Sequence, residues 1–314
     1  MPTKNQLLIP GMLAMLVISI IAAVKFISGA PLQFAWAGVF IATAPFPLFV
    51  TYISITKSVA RTSARLPVST AIVVTGFVIA MWGALMGASI MPALMATGGL
   101  VFFLWYVFIY SSFGGRSSST VAVGNALPAF TLEDVEGAKV SSSDIDGPAI
   151  YMFYRGNWCP LCMAQIKEIA GQYRELAAKG VEVVLVSPQS HDETRKLADK
   201  FDVPFRFMVD RDLRAAHALD IASIGGTPLG VSQMGYGDDT VMPTVIATDA
   251  NNTVIFLDET DNYRVRPEPE TFLKLYETGT LNGALSTDGA SARGAKRNGQ
   301  DNHAGDPMAE NALA

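Results

Sequence analysis

The sequence predicts two parts: an α-helical transmembrane bundle of about four helices, followed by an α/β domain with a mixed central sheet. The first observation is charge, because no Asp or Glu occurs before residue 117 and all 28 acidic residues follow it. The second is composition, since 50% of the residues are hydrophobic and 16% are charged, against about 25% charged in a typical soluble domain. A net charge of −5 gives no reason to expect nucleic acid as a partner.

The transmembrane domain is predicted to occupy residues 1–113. Residues 6–24 form an uncharged stretch of 19 residues, long enough to cross a hydrocarbon core of about 30 Å. This stretch exceeds the ~7–15 residues of a signal-peptide core. Three further spans are predicted at about 34–55, 68–89 and 93–112.

The positions of the prolines bear on the number of spans and on the shape of the second helix. Only Ile90-Met91-Pro92 separates the last two, and a tight turn at Pro92 favours a hairpin of two helices over one long span. Pro45 and Pro47 are expected to kink the second helix. The alternative with three spans stays open, and it would move the following domain to the other side of the membrane.

The positive charges predict the orientation. With four spans, Lys25 alone borders one side, and the other side carries five basic residues: Lys4, Lys57, Arg61, Arg65 and Arg116. This places the α/β domain in the cytoplasm, with the helices as a multi-pass anchor in a bacterial-type inner membrane. Since residues 1–113 contain neither Cys nor His, we expect no dithiol relay and no histidine-ligated haem there.

Strand-like and helix-like patterns alternate through residues 127–280, the predicted α/β domain. Residues 114–126 are rich in Ser and Gly and are expected to be a flexible linker. Residues 281–314 lack periodicity and are expected to be a disordered tail. Apolar runs predict strands, and amphipathic runs predict helices. The strands are expected at 149–154, 181–187, 205–210, 243–249 and 252–258, and the helices from Cys159 to Gly180 and at 191–201, 212–219 and 267–277.

The only two cysteines of the chain, Cys159 and Cys162, have CxxC spacing at the predicted start of a helix. A thiol at a helix N-terminus is stabilised as the thiolate by unpaired backbone N–H groups and the helix dipole. The second thiol, one turn inward, can attack a mixed disulfide. Pro160 suits the first helical turn. A zinc site would need two more ligands, so we expect no metal; a structural disulfide or a pair of inert buried thiols would have the same spacing.

The run FYRGNWCPLC (153–162) resembles the alkyl hydroperoxide reductase / thiol-specific antioxidant family, especially its peroxiredoxin-like members with a WCPxC site. Four further segments resemble that family in the same order along the chain, namely 127–145, 183–190, 242–244 and 261–269. The resemblance covers about 127–278 and implies a thioredoxin-like fold. The membrane half shows no such resemblance.

The resemblance also implies roles for residues around the cysteines. Met242-Pro243-Thr244 would form a loop that faces the site, with a cis peptide bond before Pro243. The alternative is a trans proline that opens an edge strand. Trp158 would shield the first sulfur or simply pack, and Pro160 would shape the site.

One departure from the family concerns the cysteines themselves. Peroxiredoxins carry a Thr or Ser three residues before the peroxide-reacting cysteine. An alignment on Phe153-Tyr154 puts Cys159 in the Thr position and Cys162 in the position of the reacting cysteine. An arginine should stabilise the thiolate; Arg155 is nearest in sequence, and Arg264 and Arg266 are rivals.

These observations predict a membrane-anchored thiol–disulfide oxidoreductase, a peroxiredoxin-like antioxidant protein. In this hypothesis Cys159 attacks a hydroperoxide or a protein disulfide, Cys162 resolves the intermediate, and a thiol donor of the thioredoxin or glutathione type restores the dithiol without a cofactor. Two competing hypotheses remain open. The chain could be an extracytoplasmic disulfide reductase, or a non-enzymatic membrane docking protein with vestigial thiols.

Overall fold

The computed structural model describes residues 2–116, 120–145, 147–201 and 203–277. Its first half contains five helices: α1 (Pro2–Ile27), α2 (Gln33–Thr43), α3 (Pro45–Thr56), α4 (Pro67–Leu85) and α5 (Met91–Trp105). A π-helical turn, Tyr106–Tyr110, continues α5. The predicted tail, 281–314, lies outside the described residues.

Three helical segments are long and apolar enough to cross a membrane: Lys4–Ile27, Pro67–Leu85 and Met91–Tyr110. Helices α2 and α3 together pass the same test as one segment that is bent by 40°. The bend lies at Ala44, directly before Pro45. The predicted kink is therefore confirmed, and the number of candidate spans in the described part of the chain is three, or four when the bent pair is one span.

Helices α2 and α4 approach each other through glycines. A Cβ atom at Gly76 would lie 2.5 Å from the backbone nitrogen of Ala42, and one at Gly38 would lie 2.6 Å from that of Ala80. Contacts this short are available only to residues without a side chain. Small residues at helix crossings are typical of packing between apolar helices.

The second half has nine strands within the described residues: β1 (Thr131–Glu133), β2 (Lys139–Ser141), β3 (Ala149–Phe153), β4 (Glu182–Ser187), β5 (Arg206–Val209), β6 (Ala222–Ser223), β7 (Thr240–Val241), β8 (Thr244–Thr248) and β9 (Val254–Asp258). Four helices accompany them: α6 (Pro160–Ala178), α7 (His191–Ala198), α8 (Arg214–Ala218) and α9 (Pro269–Glu277). The strands and helices predicted from the apolar patterns are confirmed. The short pair β6–β7 was not predicted.

The main sheet has the order β2-β1-β5-β4-β3-β8-β9. Strand β3 is parallel to β4 and antiparallel to β8, and β4 is parallel to β5. The predicted mixed sheet is therefore confirmed. All five residues of the central strand β3 are buried, because a hydrophobic core packs on each face of the sheet. The chain passes from Phe153, at the C-terminal end of β3, to α6. The N-terminus of α6 therefore lies at that end of the sheet.

The expectation of a flexible linker is wrong for residues 120–126. Val121 is buried in the core that contains Leu127, and the backbone N–H of Gly124 donates to the Val254 carbonyl at 2.8 Å. Val254 in turn donates to the Asn125 carbonyl at 2.8 Å. The segment is ordered because it forms backbone hydrogen bonds with β9 and places an apolar side chain in the core. Its Ser and Gly content does not indicate these contacts.

The helices dock closely against the α/β domain. Asn5 at the start of α1 donates through Nδ2 to the Gly225 carbonyl at 2.7 Å, and Arg61, after α3, forms ion pairs with Glu168 and Glu268. After α5, the backbone N–H of Phe113 donates to the Asp261 carbonyl at 2.9 Å. The start of α1, the α3–α4 connection and the end of α5 therefore all meet the same domain.

A buried arginine reinforces this contact. Arg264 donates to Ser111 Oγ, Thr62 Oγ1 and the Ser63 carbonyl, each at 2.9 Å, and to the Ala64 carbonyl at 2.8 Å. All four acceptors belong to the helical half. A guanidinium that is removed from water needs such a set of acceptors, so Arg264 depends on the α3–α4 connection and on the end of α5.

Candidate active site

The two thiols lie at the N-terminus of α6. Cys159 is the residue before the helix, and its Sγ accepts the backbone N–H of Cys162 at 3.3 Å. Pro160 occupies the first helical position, where its missing N–H leaves no gap in the helix hydrogen bonds. Both thiols are reduced and buried, with exposed fractions of 2% and 0%. The predicted placement of the CxxC at a helix start is confirmed.

Arg266 is the arginine that contacts a sulfur. Its Nη2 lies 3.5 Å from Cys162 Sγ, while Nη1 donates to Gln165 Oε1 at 2.6 Å and Nε donates to the Tyr263 carbonyl at 3.2 Å. Gln165 is one turn beyond Cys162 on α6. These bonds hold the guanidinium plane against the thiol, in a place from which water is largely excluded.

The pKa values of the two thiols move in opposite directions. Burial disfavours the thiolate of Cys162, but the hydrogen bond from Cys159 and the charge of Arg266 outweigh it and lower the pKa of Cys162 to about 5. Burial raises the pKa of Cys159 well above its ordinary value, and the hydrogen bond and negative charge at Cys162 add to this. The pair therefore shares one proton at neutral pH.

The assignment of the thiolate to Cys159 by the helix N-terminus stays a prediction. The charge of Arg266, whose Nη2 lies 3.5 Å from Cys162 Sγ, favours ionisation of Cys162. The N–H that reaches Cys159 comes from Cys162 and carries no formal charge. A cationic side chain outweighs one backbone donor.

Arg155 lies near the thiols but acts differently. Its guanidinium stacks over the ring of Trp158, 4.6 Å from the centroid, and over Tyr263 at 5.7 Å. Its Nη2 donates to the Gly226 carbonyl. Arg155 therefore holds Trp158 beside Cys159. The guanidinium of the third candidate, Arg264, donates its hydrogen bonds to the helical half.

The loop at Met242-Pro243-Thr244 departs from expectation. None of the described peptide bonds is cis, so the bond before Pro243 is trans. Met242 donates its N–H to the Ile221 carbonyl at 2.8 Å, and its own carbonyl accepts from Thr244 Oγ1 at 2.8 Å. Arg116 Nη1 donates to the Pro243 carbonyl at 3.0 Å. Because these groups are already paired, this loop does not offer free backbone to a substrate.

A cavity of about 220 Å³ opens onto Cys159. Trp158, Pro160 and Leu161 line it beside the sulfur, and Arg155 and Tyr263 form part of its wall. The rest of the wall comes mainly from α1, α3 and the end of α5. Cys162 does not line the cavity, so Cys159 is the sulfur that a bound molecule meets. Within the described residues, no cluster of three His, Cys, Asp or Glu side chains could hold a metal ion.

Residues 123–256 match the family model described as AhpC/TSA family. The match contains both cysteines of the chain. This domain is similar to the AhpC/TSA family. It is a thiol-dependent oxidoreductase, and the family resemblance inferred from the WCPxC run is confirmed.

Two kinds of relative share this domain. The thiol-disulfide oxidoreductase ResA of Bacillus subtilis is 28% identical over 129 residues, which cover 41% of this chain and 71% of the relative. The chloroplastic peroxiredoxin Q of Sedum lineare is 34% identical over 91 residues, 29% of this chain and 49% of the relative. Among solved structures, the peroxidoxin BcpB of Mycobacterium tuberculosis aligns with a TM-score of 0.40 at 19% identity, and covers 49% of this chain and 95% of its own.

Sequence reasoning did not single out the helical residues around the AhpC/TSA site. The hydroxyl groups of Tyr263 and Tyr106 are hydrogen-bonded at 2.9 Å. Tyr110 packs edge-on against Tyr263, with 5.8 Å between the ring centroids. Aromatic residues near the end of an apolar helix are ordinary in a membrane protein. The sequence feature that could have indicated a role for Tyr263 was the run at 261–269, which contains Tyr263, Arg264 and Arg266 within four residues.

Proposed function

We propose that this chain is a membrane-anchored oxidoreductase that reduces hydroperoxides by cycling Cys159 and Cys162 between a dithiol and a disulfide. The observation that carries the proposal is the contact of 3.5 Å between Arg266 Nη2 and Cys162 Sγ inside a buried thiol pair. A fixed cation in a dry site stabilises developing negative charge without reorganisation. In the proposed cycle this cation stabilises the thiolate of Cys162, the resolving sulfur.

The chemistry begins with the shared proton. Cys162 takes the proton of the Cys159 thiol, and the Cys159 thiolate attacks the terminal oxygen of the hydroperoxide. The S–O bond forms while the O–O bond breaks, and the leaving alkoxide takes the proton from Cys162 to become an alcohol. The Cys162 thiolate then attacks the sulfenic acid on Cys159. The S–S bond forms, and hydroxide leaves as water after it takes a proton from solvent.

A thiol donor of the thioredoxin or glutathione type then reduces the disulfide by exchange and closes the cycle. The assignment of Cys159 as the attacking sulfur rests on its position in the cavity wall. The assignment of Cys162 as the resolving sulfur rests on its low pKa of about 5, because a resolving thiol that is already ionised attacks without a separate base.

A second candidate is the reduction of protein disulfides, which the ResA relatives and the CxxC spacing favour. The burial of both sulfurs disfavours it, since a partner protein must bring its own disulfide within bonding distance of Cys159. Hydrogen peroxide and insulin-disulfide turnover, measured side by side on the full chain in detergent, separates the two. We expect peroxide turnover that disappears in Cys159→Ser. Faster reduction of insulin than of any hydroperoxide would establish the second candidate.

The same assay addresses the docking hypothesis. If the thiols are vestigial, neither substrate is turned over, and replacement of both Cys159 and Cys162 leaves the cellular phenotype unchanged. A catalytic protein loses its phenotype in either single variant, because each sulfur has a separate step in the cycle.

We further propose that the redox domain is cytoplasmic, in a multi-pass protein of a bacterial-type inner membrane. Asn5, Arg61 and Phe113 all meet this domain, which supports an even number of crossings with the bent pair α2–α3 as one span. The five basic residues on that side support the cytoplasm. A reporter fused to the C-terminus tests this: active alkaline phosphatase there would instead favour the extracytoplasmic reductase.

A further inference from the structure

The cavity beside Cys159 is built jointly by the redox domain and the N-terminal helices. Trp158 and Cys159 form one side of its wall. The other side includes Leu8 of α1 and Val50 of α3. Helix α1 contains a candidate membrane span, and α3 belongs to the bent pair that passes the same test. In the proposed membrane-anchored protein, the cavity therefore lies between a redox-active sulfur and helices that contact the bilayer.

The shape of the wall favours a flat ligand. Five of the lining residues carry aromatic rings: Phe46, Tyr106, Tyr110, Trp158 and Tyr263. Aromatic rings pack well against one another, stacked or edge-on, so this wall suits a planar ring better than a flexible chain. An apolar cavity of about 150 Å³ binds benzene. The present cavity, of about 220 Å³, has room for one six-membered ring with small substituents.

One hydrogen-bond donor in the wall is buried without an acceptor. Arg155 is 7% exposed, and its Nε has no partner among the described residues. The guanidinium cannot turn freely, because it stacks over Trp158 and Tyr263 and donates through Nη2 to the Gly226 carbonyl. An unpaired buried donor is unfavourable. A ligand that brings a carbonyl oxygen to Arg155 would remove this cost.

The sulfur at the wall adds a redox requirement. Cys159 lines the cavity, and Cys162 does not. When the two thiols form a disulfide they release two electrons. A ligand that fits the cavity and reacts with this dithiol is therefore a planar apolar ring that carries a carbonyl group and accepts two electrons. A quinone ring has all of these properties.

We propose that the cavity is a quinone site, in which the Cys159–Cys162 dithiol passes two electrons to a membrane-soluble quinone. This reaction goes beyond the reduction of hydroperoxides. It rests on the proposed function in one respect, because the same dithiol is oxidised and the same thiol donor restores it. The helices then have a role besides anchoring, since they bring a lipid-soluble electron acceptor to the thiol.

The reaction can be written so that atoms and electrons balance. Cys162 takes the proton of Cys159, and the Cys159 thiolate adds to a ring carbon. The C–S bond forms, and an electron pair moves to the carbonyl oxygen at Arg155, where the cation favours the negative charge. Cys162 gives its proton to this oxygen. The Cys162 thiolate then attacks the Cys159 sulfur, so that the S–S bond forms and the C–S bond breaks. The released pair passes to the second carbonyl oxygen, which takes a proton from solvent and completes the quinol.

The test is the anaerobic reduction of decylubiquinone by the reduced full chain in detergent, followed as loss of quinone absorbance. We expect one quinol per dithiol, and a rate constant at least a hundredfold above that of Cys159→Ser, which keeps Cys162. Val50→Phe and Leu8→Phe place larger side chains in the wall and should each lower the rate constant at least tenfold. Val74→Phe, at an exposed position of α4 outside the cavity, is the matched control and should leave it unchanged.

A second measurement needs no change in the cavity wall. Decylubiquinol cannot accept electrons, so it should occupy the cavity without reacting and slow the alkylation of Cys159 in the unmodified chain at least threefold. Alkylation at the same rate with and without the quinol would contradict the cavity as the binding site. So would quinone reduction that is unchanged in both Val50→Phe and Leu8→Phe, because the quinone would then react elsewhere.

Hydrogen peroxide turnover of the unmodified chain, measured in parallel, separates this inference from the proposed function. Peroxide turnover together with quinone reduction no faster than in Cys159→Ser would overturn the quinone site and leave the proposed function intact. Quinone reduction without peroxide turnover would support the quinone site and refute hydroperoxides as the substrate. Absence of both reactions would overturn both proposals.

Discussion

Replacement of Arg266 by Met should raise the pKa of Cys162. Arg266 Nη2 lies 3.5 Å from the sulfur, and two unit charges at that distance attract by ~5 kcal/mol at an effective dielectric constant of about 20. This equals roughly 3.5 pKa units at 1.36 kcal/mol per unit. Because Arg155 continues to stabilise the thiolate, we expect a rise of roughly 1–3 units, the range typical of losing one opposite charge.

The measurement is a pH titration of thiolate absorbance on Cys159→Ser, in which Cys162 is the only thiol. Its midpoint is the reference value, and the addition of Arg266→Met should move it upward, because the charge of Arg266 lowers the pKa of Cys162. Arg206→Met is the matched control, because Arg206 pairs with Glu182 at 2.7 Å on the surface. An unchanged midpoint in the Arg266→Met background would refute the assignment of the guanidinium as the group that stabilises the thiolate.

Three further predictions concern stability. Arg264→Met removes four hydrogen bonds to the helical half and should lower the free energy of unfolding by roughly 3 kcal/mol or more, read as a lower melting temperature. Gly76→Val should also lower the melting temperature, because its Cβ would lie 2.5 Å from Ala42 N, whereas Gly98→Val should not, because no atom lies within 4 Å of a Cβ there. Because the pKa of Cys162 is lowered by folding, the reduced protein should lose stability as the pH falls from about 8.5 to 5, and the disulfide form should not.

Local patterns were sufficient for most of the fold. The apolar run at 149–154, for example, predicted the strand Ala149–Phe153, and the Cys159-Pro160 pair predicted the start of α6. Each of these features depends on residues within one or two turns of each other. The bend before Pro45 is of the same kind, because proline removes a donor wherever it occurs.

Other features depend on residues that are distant in sequence. The choice of Arg266 over Arg155 and Arg264 follows from how residues 261–269 pack across α6, and no local pattern distinguishes three arginines. The thiolate position follows from the same packing, since Arg266 reaches Cys162 and not Cys159. The order in residues 120–126 likewise depends on β9, which lies far along the chain.

The N-terminal helices contribute to the environment of the thiols. Ile53 of α3 is buried in the same apolar core as Cys159 and Cys162, and the Arg264 guanidinium is hydrogen-bonded to the helical half. A fragment without the helices would expose the Cys159 side of the cavity to water and leave Arg264 to be solvated. Water at Cys159 would remove the burial that raises its pKa. Thiol reactivity measured on such a fragment would therefore describe a different site from that of the full chain, in which the helices supply part of the wall of the cavity at Cys159.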